Sequence, residues 1–89
     1  MTQPIELAAE LTIAHATDLQ RTLKERLAAG ALSIDASRVK QIDTSILQLL
    51  VSASRACTQR RVAFGWTGVS DTMRRCASLI GVAEFLHFP

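Results

Sequence analysis

The stretch Leu32-Ser-Ile-Asp-Ala-Ser-Arg-Val-Lys-Gln-Ile-Asp-Thr-Ser-Ile-Leu-Gln-Leu-Leu50 passes from a two-residue apolar period to a helical one. Leu32, Ile34 and Ala36 alternate with Ser33 and Asp35, the pattern of a half-buried strand. After a connector, Ser37 to Ile42, the residues Ile46, Leu49, Leu50, Ala53 and Cys57 recur at spacings of three and four, which predicts a helix from Thr44 to about Thr58. Leu47 and Val51 flank that stripe and widen the apolar face, so the helix either packs between two elements or offers this flank to a partner. At the junction stands Asp43-Thr44-Ser45. Asp43 is a good helix N-cap, and Ser45-x-x-Gln48 fits a capping box, which leaves Thr44 with no capping duty. Unpaired N–H groups at a helix start favour anions, so a phosphoryl group on Thr44 is compatible with the helix. It would add about −1.5 to −2 charge at neutral pH. Arg38 and Lys40 are near enough in sequence to offset this charge, while Asp43 opposes it.

Working outward, Ile5 to Leu7 and Glu10 to Ala14 read as short extended segments, with Leu11 and Ile13 at inward positions. A helix is expected from Ala16, with Leu19, Leu23 and Leu27 on one face, a cap at Thr17 or just before it, and a left-handed stop at Gly30. Downstream, Arg61 to Trp66 is a near-continuous apolar strand, and Gly68 supplies a turn. Ser70 or Asp71 caps a third helix with Val69, Met73, Cys76, Ala77 and Ile80 inward, ended by Gly81. Glu84 to Phe88 is a short strand or helical turn. The order β-β-α-β-α-β-α implies an α/β fold, with right-handed crossovers and helices packed on a sheet that contains parallel pairs.

The totals narrow the function. The 89 residues make a single domain, residues 1–89, with 48% hydrophobic and 4% aromatic side chains. Such a domain has little room for both a core and a deep substrate cavity. The net charge is +2, and the cations are dispersed and not interleaved with stacking aromatics, which argues against nucleic acid as a partner. Cys57 and Cys76 fall in apolar helical patterns and read as reduced core residues, not as a disulfide or metal site. His15 and His87 are isolated surface or edge residues, so no metal is expected. Trp66 is expected at the rim of the core, and Arg74 and Arg75 on a solvated helix face. No Gly-rich phosphate loop, nucleophile elbow or zinc-protease motif occurs, so the chain reads as a binding module without a cofactor and not as an enzyme. Met1-Thr2-Gln3-Pro4 does not open a secretory signal, and no apolar run is long enough to enter a membrane. The expected location is the cytoplasm.

Asp35-x-Ser37-x-Val39-x-x-Ile42-Asp43-Thr44-Ser45-x-Leu47-x-x-Leu50, with Glu10-Leu11-Thr12-Ile13 before it and Ala77-Ser78-Leu79-Ile80-Gly81-Val82 after it, resembles the STAS domain. That family is named for sulfate transporters and anti-sigma-factor antagonists. The resemblance implies a small mixed sheet of about four or five strands with helices on it. It also implies that Thr44 is the phosphoacceptor for a partner kinase, and that Asp43, Thr44, Ser45, Leu47 and Val51 form the docking surface. The implied partners are a histidine-kinase-like ATPase (an anti-sigma factor or serine kinase) and a phosphatase, in sigma-factor or chemotaxis-type partner switching. A different implied use is as the small STAS subunit of a phospholipid-transport ABC system, docked on the ATPase with Thr44 unmodified. Ile46 stands where the family's bacterial antagonists commonly carry glycine.

Overall fold

A computed structural model describes residues 3–89; Met1 and Thr2, on which the reading of the N-terminus partly rests, lie outside the described residues. The strand predicted around Ile34 is β3 of the chain, Leu32–Ala36. It lies at the centre of a parallel sheet, between β1 (Ile5–Glu6) and β5 (Phe64–Val69). Leu32, Ile34 and Ala36 are buried, and the register aligns Ile5 and Trp66 with Ile34. The other face carries Glu6, Ser33 and Asp35, which remain exposed or half-exposed. A second parallel ladder joins β2 (Glu10–Leu11) to β4 (Gln41–Ile42).

The helices are α1 (Ala16–Ala29), α2 (Thr44–Arg60), α3 (Asp71–Leu79) and α4 (Ala83–Leu86). Both sheets are parallel, so each crossover helix starts where a strand ends. The start of α3 is tied to the connector between β3 and β4: Ser70 caps α3 by accepting from the Met73 N–H at 3.1 Å, and its hydroxyl donates to the Val39 carbonyl at 2.6 Å. The core is built around Ile34, Ile46, Leu47, Leu50, Met73 and Leu86, all essentially without solvent exposure. Burying a side chain of this size contributes roughly 1.5–3 kcal/mol, which is why α2, with three of them, anchors the fold.

The expected α/β architecture is present, with several local differences that have physical causes. The connector is not a loop throughout, because Gln41–Ile42 pairs with Glu10–Leu11 as β4. The extended segment from Glu10 ends at Leu11 and gives way to a 3-10 turn, Ile13–His15; Ile13 points outward and is 65% exposed. Thr17 does not cap α1, whose N-cap position is His15. Gly30 does follow α1, but with φ 132° and ψ −121°, outside the left-handed helical region expected of it. Helix α2 runs two residues past Thr58, so β5 starts at Phe64 rather than Arg61. Within β5 the register slips between Ile34 and Asp35, which oppose Trp66 and Gly68. Gly68 suits this close approach: a Cβ would stand 3.1 Å from both Asp35 Oδ1 and Ser37 Cβ, and these neighbours would have to give way. Ile80, expected inward, is the C-cap of α3 and is 40% exposed. The terminal element is the helical turn α4.

Two further side chains are placed by this fold. Trp66 lies at the rim of the core, edge-on to Phe64 at 5.5 Å and to Phe88 at 5.0 Å, and its Nε1–H donates to the Leu86 carbonyl at 2.7 Å. Arg74, expected as a solvated residue, instead sits over the Phe88 ring at 5.6 Å and donates to the Pro89 carbonyl at 3.0 Å. Cys57 is buried and Cys76 half-buried, both as free thiols, and desolvation pushes the Cys57 thiol above its ordinary range. Among the described residues, no helix is long and apolar enough to cross a membrane.

Candidate functional site

Thr44 is the first residue of α2 and is exposed. Asp43 precedes it in extended conformation (φ −77°, ψ 151°) and occupies the N-cap position. Its carbonyl accepts from the Ile46 N–H at 3.0 Å and the Leu47 N–H at 3.3 Å, which closes the first helical turn. Its carboxylate makes no capping bond. Oδ2 instead accepts from the Ile13 N–H at 2.7 Å, a charge-assisted bond across a separation of 30 residues. The Asp43 N–H donates to the Leu11 carbonyl at 2.8 Å, so the same residue is stitched both to the end of β2 and to the turn that follows it.

Ser45 is placed differently from its expected role. It is the second residue of the helix, its Oγ is buried, and that hydroxyl has no hydrogen-bond partner. The capping box with Gln48 does not form, because Asp43 takes the N-cap position and Ser45 lies inside the helix. A buried hydroxyl cannot meet a partner. Leu47 and Val51 also leave the docking surface: they are 1% and 4% exposed and belong to the core. The wide apolar face of α2 is therefore packed between elements, since α2 contacts α1, β5 and α4. Of the five residues expected to dock, the fold leaves Thr44 exposed and Asp43 half-buried, and the outward-facing Ile13 is bonded to Asp43 through its N–H. Nothing in the local pattern marked Ile13, because an apolar residue two places after Leu11 reads the same whether it turns in or out.

The connector that presents Thr44 is held along its length. The Ser37 N–H donates to Asp35 Oδ1 at 3.0 Å. Hydrogen bonds from the Ser37 hydroxyl and its backbone N–H hold the Asp35 carboxyl below the usual carboxylate range, with a smaller contribution from Arg38. Val39 is buried, and the N–H groups of Lys40 and Gln41 both donate to the Ala9 carbonyl, at 2.8 and 3.0 Å. Arg38 and Lys40 remain exposed on this anchored segment. Among the described residues, surface grooves lie along β1 and α1, between α1 and α2, and beside α4, and Thr44 lines none of these three. The arrangement offers an exposed hydroxyl, an outward apolar side chain and two cations on a firm surface. That chemistry suits contact with another macromolecule better than enclosure of a small substrate.

Parallel β-α units that bring helix starts to one place, with an exposed hydroxyl at one of those starts, define a small α/β domain of the kind the residues of the connector resemble. The family described as "Mlab, STAS domain" matches residues 2–87, and the chain belongs to the STAS family. Its fold is similar to that of the anti-sigma factor antagonist SpoIIAA in its unphosphorylated form, with a TM-score of 0.76 and 14% sequence identity. That similarity covers 100% of this chain and 84% of the other. No curated protein matches the sequence.

Proposed function

We propose that this STAS domain is a non-enzymatic, cytoplasmic partner-switching module whose docking surface is centred on Thr44. The observation that carries the reading is the division of labour at the start of α2. Thr44 is exposed, while the Asp43 carboxylate is engaged by Ile13 and the Ser45 hydroxyl is buried. In the unmodified state the surface docks on a histidine-kinase-like ATPase. That ATPase transfers the γ-phosphoryl group of ATP to Thr44 Oγ1; ADP leaves, and the hydroxyl proton passes to a base of the kinase. The new dianion sits beside Asp43, and like charges brought into an interface weaken it by several kcal/mol. A phosphatase restores the hydroxyl and the contact. The fold similarity to an anti-sigma factor antagonist described in an unphosphorylated form supports this reading.

A second reading keeps the surface and drops the phosphate: docking on the ATPase subunit of a phospholipid-transport ABC system. It is favoured by the family match, "Mlab, STAS domain", and by a surface that is held in place without any phosphoryl group. The neighbouring genes separate the two, since a kinase, phosphatase or receptor fits switching and an ABC ATPase with a permease fits transport. Incubating the chain with the kinase and ATP and mapping phosphate by mass spectrometry is the direct test. Wild-type chain is expected to gain one phosphoryl group at Thr44, and Thr44→Ala none. Thr44→Glu is expected to lose ATPase binding that Thr44→Ala retains in pull-down; phosphate elsewhere, or equal binding by both variants, rejects the switch.

A further inference from the structure

We infer that Asp43 is a positioning residue: its carboxylate holds the 3-10 turn so that Ile13 stands beside Thr44, making the two one docking surface. The inference rests on the reading of Thr44 as the centre of that surface, and extends it to a residue on another element. An aspartate at an N-cap ordinarily turns its carboxylate onto the N–H groups of its own helix. Here α2 receives no side-chain cap, and Oδ2 is spent on the Ile13 N–H.

That N–H has no backbone acceptor available to it. Ile13 opens the 3-10 turn, whose internal bonds use the N–H groups of His15 and Ala16, donating to Thr12 and Ile13. The neighbouring Thr12 N–H is likewise taken by a side chain, His15 Nδ1 at 3.1 Å. The turn therefore closes on itself at Thr12, and Asp43 is what ties it to α2 through Ile13. The result is a large apolar side chain, 65% exposed, fixed to the residue that immediately precedes Thr44. A lone exposed isoleucine is common on protein surfaces. One anchored by a charge-assisted bond to the start of a helix is placed, and a partner that reads Thr44 meets an apolar side chain at a set position. The matching partner surface is an apolar socket next to the site that receives the Thr44 hydroxyl.

Amide hydrogen exchange of the chain alone tests the positioning. Removing the acceptor in Asp43→Ala is expected to speed exchange at Ile13 about tenfold or more, as loss of a charge-assisted hydrogen bond implies. Asp43→Asn, which keeps an oxygen acceptor, is expected to recover part of the protection, with exchange at Leu50 unchanged in both. Unchanged exchange at Ile13 in Asp43→Ala overturns the inference. Binding to the ATPase then reads the consequence: Ile13→Ala and Asp43→Ala are each expected to weaken it about tenfold. The melting temperature of Ile13→Ala should stay within about 3 °C of wild type. Full binding by Ile13→Ala removes Ile13 from the docking surface. If the wild-type chain binds no such ATPase, the proposed function falls, and exchange at Ile13 alone decides what Asp43 does.

Discussion

Thr44 and Ser45 are adjacent hydroxyl residues at a helix start, yet one faces solvent and the other is enclosed without a partner. An unsatisfied buried hydroxyl carries a desolvation cost, so Ser45→Ala is expected to leave stability unchanged or raise it by up to about 1 kcal/mol, read from urea unfolding. A capping role for Ser45 would give the opposite sign. Asp35 provides a second residue-scale prediction. Its folded carboxyl titrates below the ordinary value of 3.8, so its contribution is complete above that value and is lost as the pH falls through the lowered one. Asp35→Asn should therefore be less stable than wild type near neutrality, and the gap should close in thermal melts below about pH 4. A gap that stays constant across this range would remove Asp35 ionisation from the account.

At the scale of elements, α2 and α3 end in the same way with different residues. After α2, the N–H groups of Arg61 and Val62 donate to the carbonyls of Thr58 and Cys57, with Arg61 left-handed at φ 58°. After α3, those of Gly81 and Val82 donate to Ser78 and Ala77, with Gly81 at φ 77°. This is the Schellman closure, in which glycine fits without strain and a residue with a Cβ does not. Arg61→Gly is accordingly expected to stabilise the chain by about 1 kcal/mol and Gly81→Ala to destabilise it by a similar amount. Thermal melts of the two variants should move in opposite directions; a shared direction would mean that side-chain contacts outweigh backbone strain. The helix stop at Gly81 was legible because glycine marks it. The stop at Arg61 was not, and the misplaced start of β5 follows from that one residue.

On the scale of the whole molecule, the C-terminal residues strap the sheet to α3. Trp66 donates to Leu86, Phe88 packs edge-on against Trp66, and Arg74 covers Phe88 and reaches Pro89. Trp66→Phe keeps an aromatic ring and removes the donor, and is expected to cost about 1 kcal/mol or somewhat more in chemical unfolding. Loss of the strap should also speed proteolysis near the C-terminus; an unchanged cleavage pattern would show that ring packing alone holds it. At the other end, the bonds from Ser70 to Val39, and from Lys40 and Gln41 to Ala9, hold the connector that presents Thr44. The connector's placement was invisible in the sequence, because each of these bonds joins segments far apart in the chain.

Local patterning by itself determined the periodicities of β3, α1, α2 and α3, a cap for α3 at Ser70 or Asp71, its stop at Gly81, the position of Thr44 at a helix start, and the motif that places the chain in the STAS family. Those features depend on residues within one or two turns of each other, and the chain displays them directly. Tertiary structure alone decided that Leu47 and Val51 are core, that Ser45 is enclosed, that Ile13 turns outward and that Asp43 serves Ile13 instead of its own helix. Each of those outcomes is set by which group arrives from a distant segment. A carboxylate at an N-cap position has the same pattern whichever N–H it meets, and only the packing of α2 against the turn after β2 supplies the one it takes.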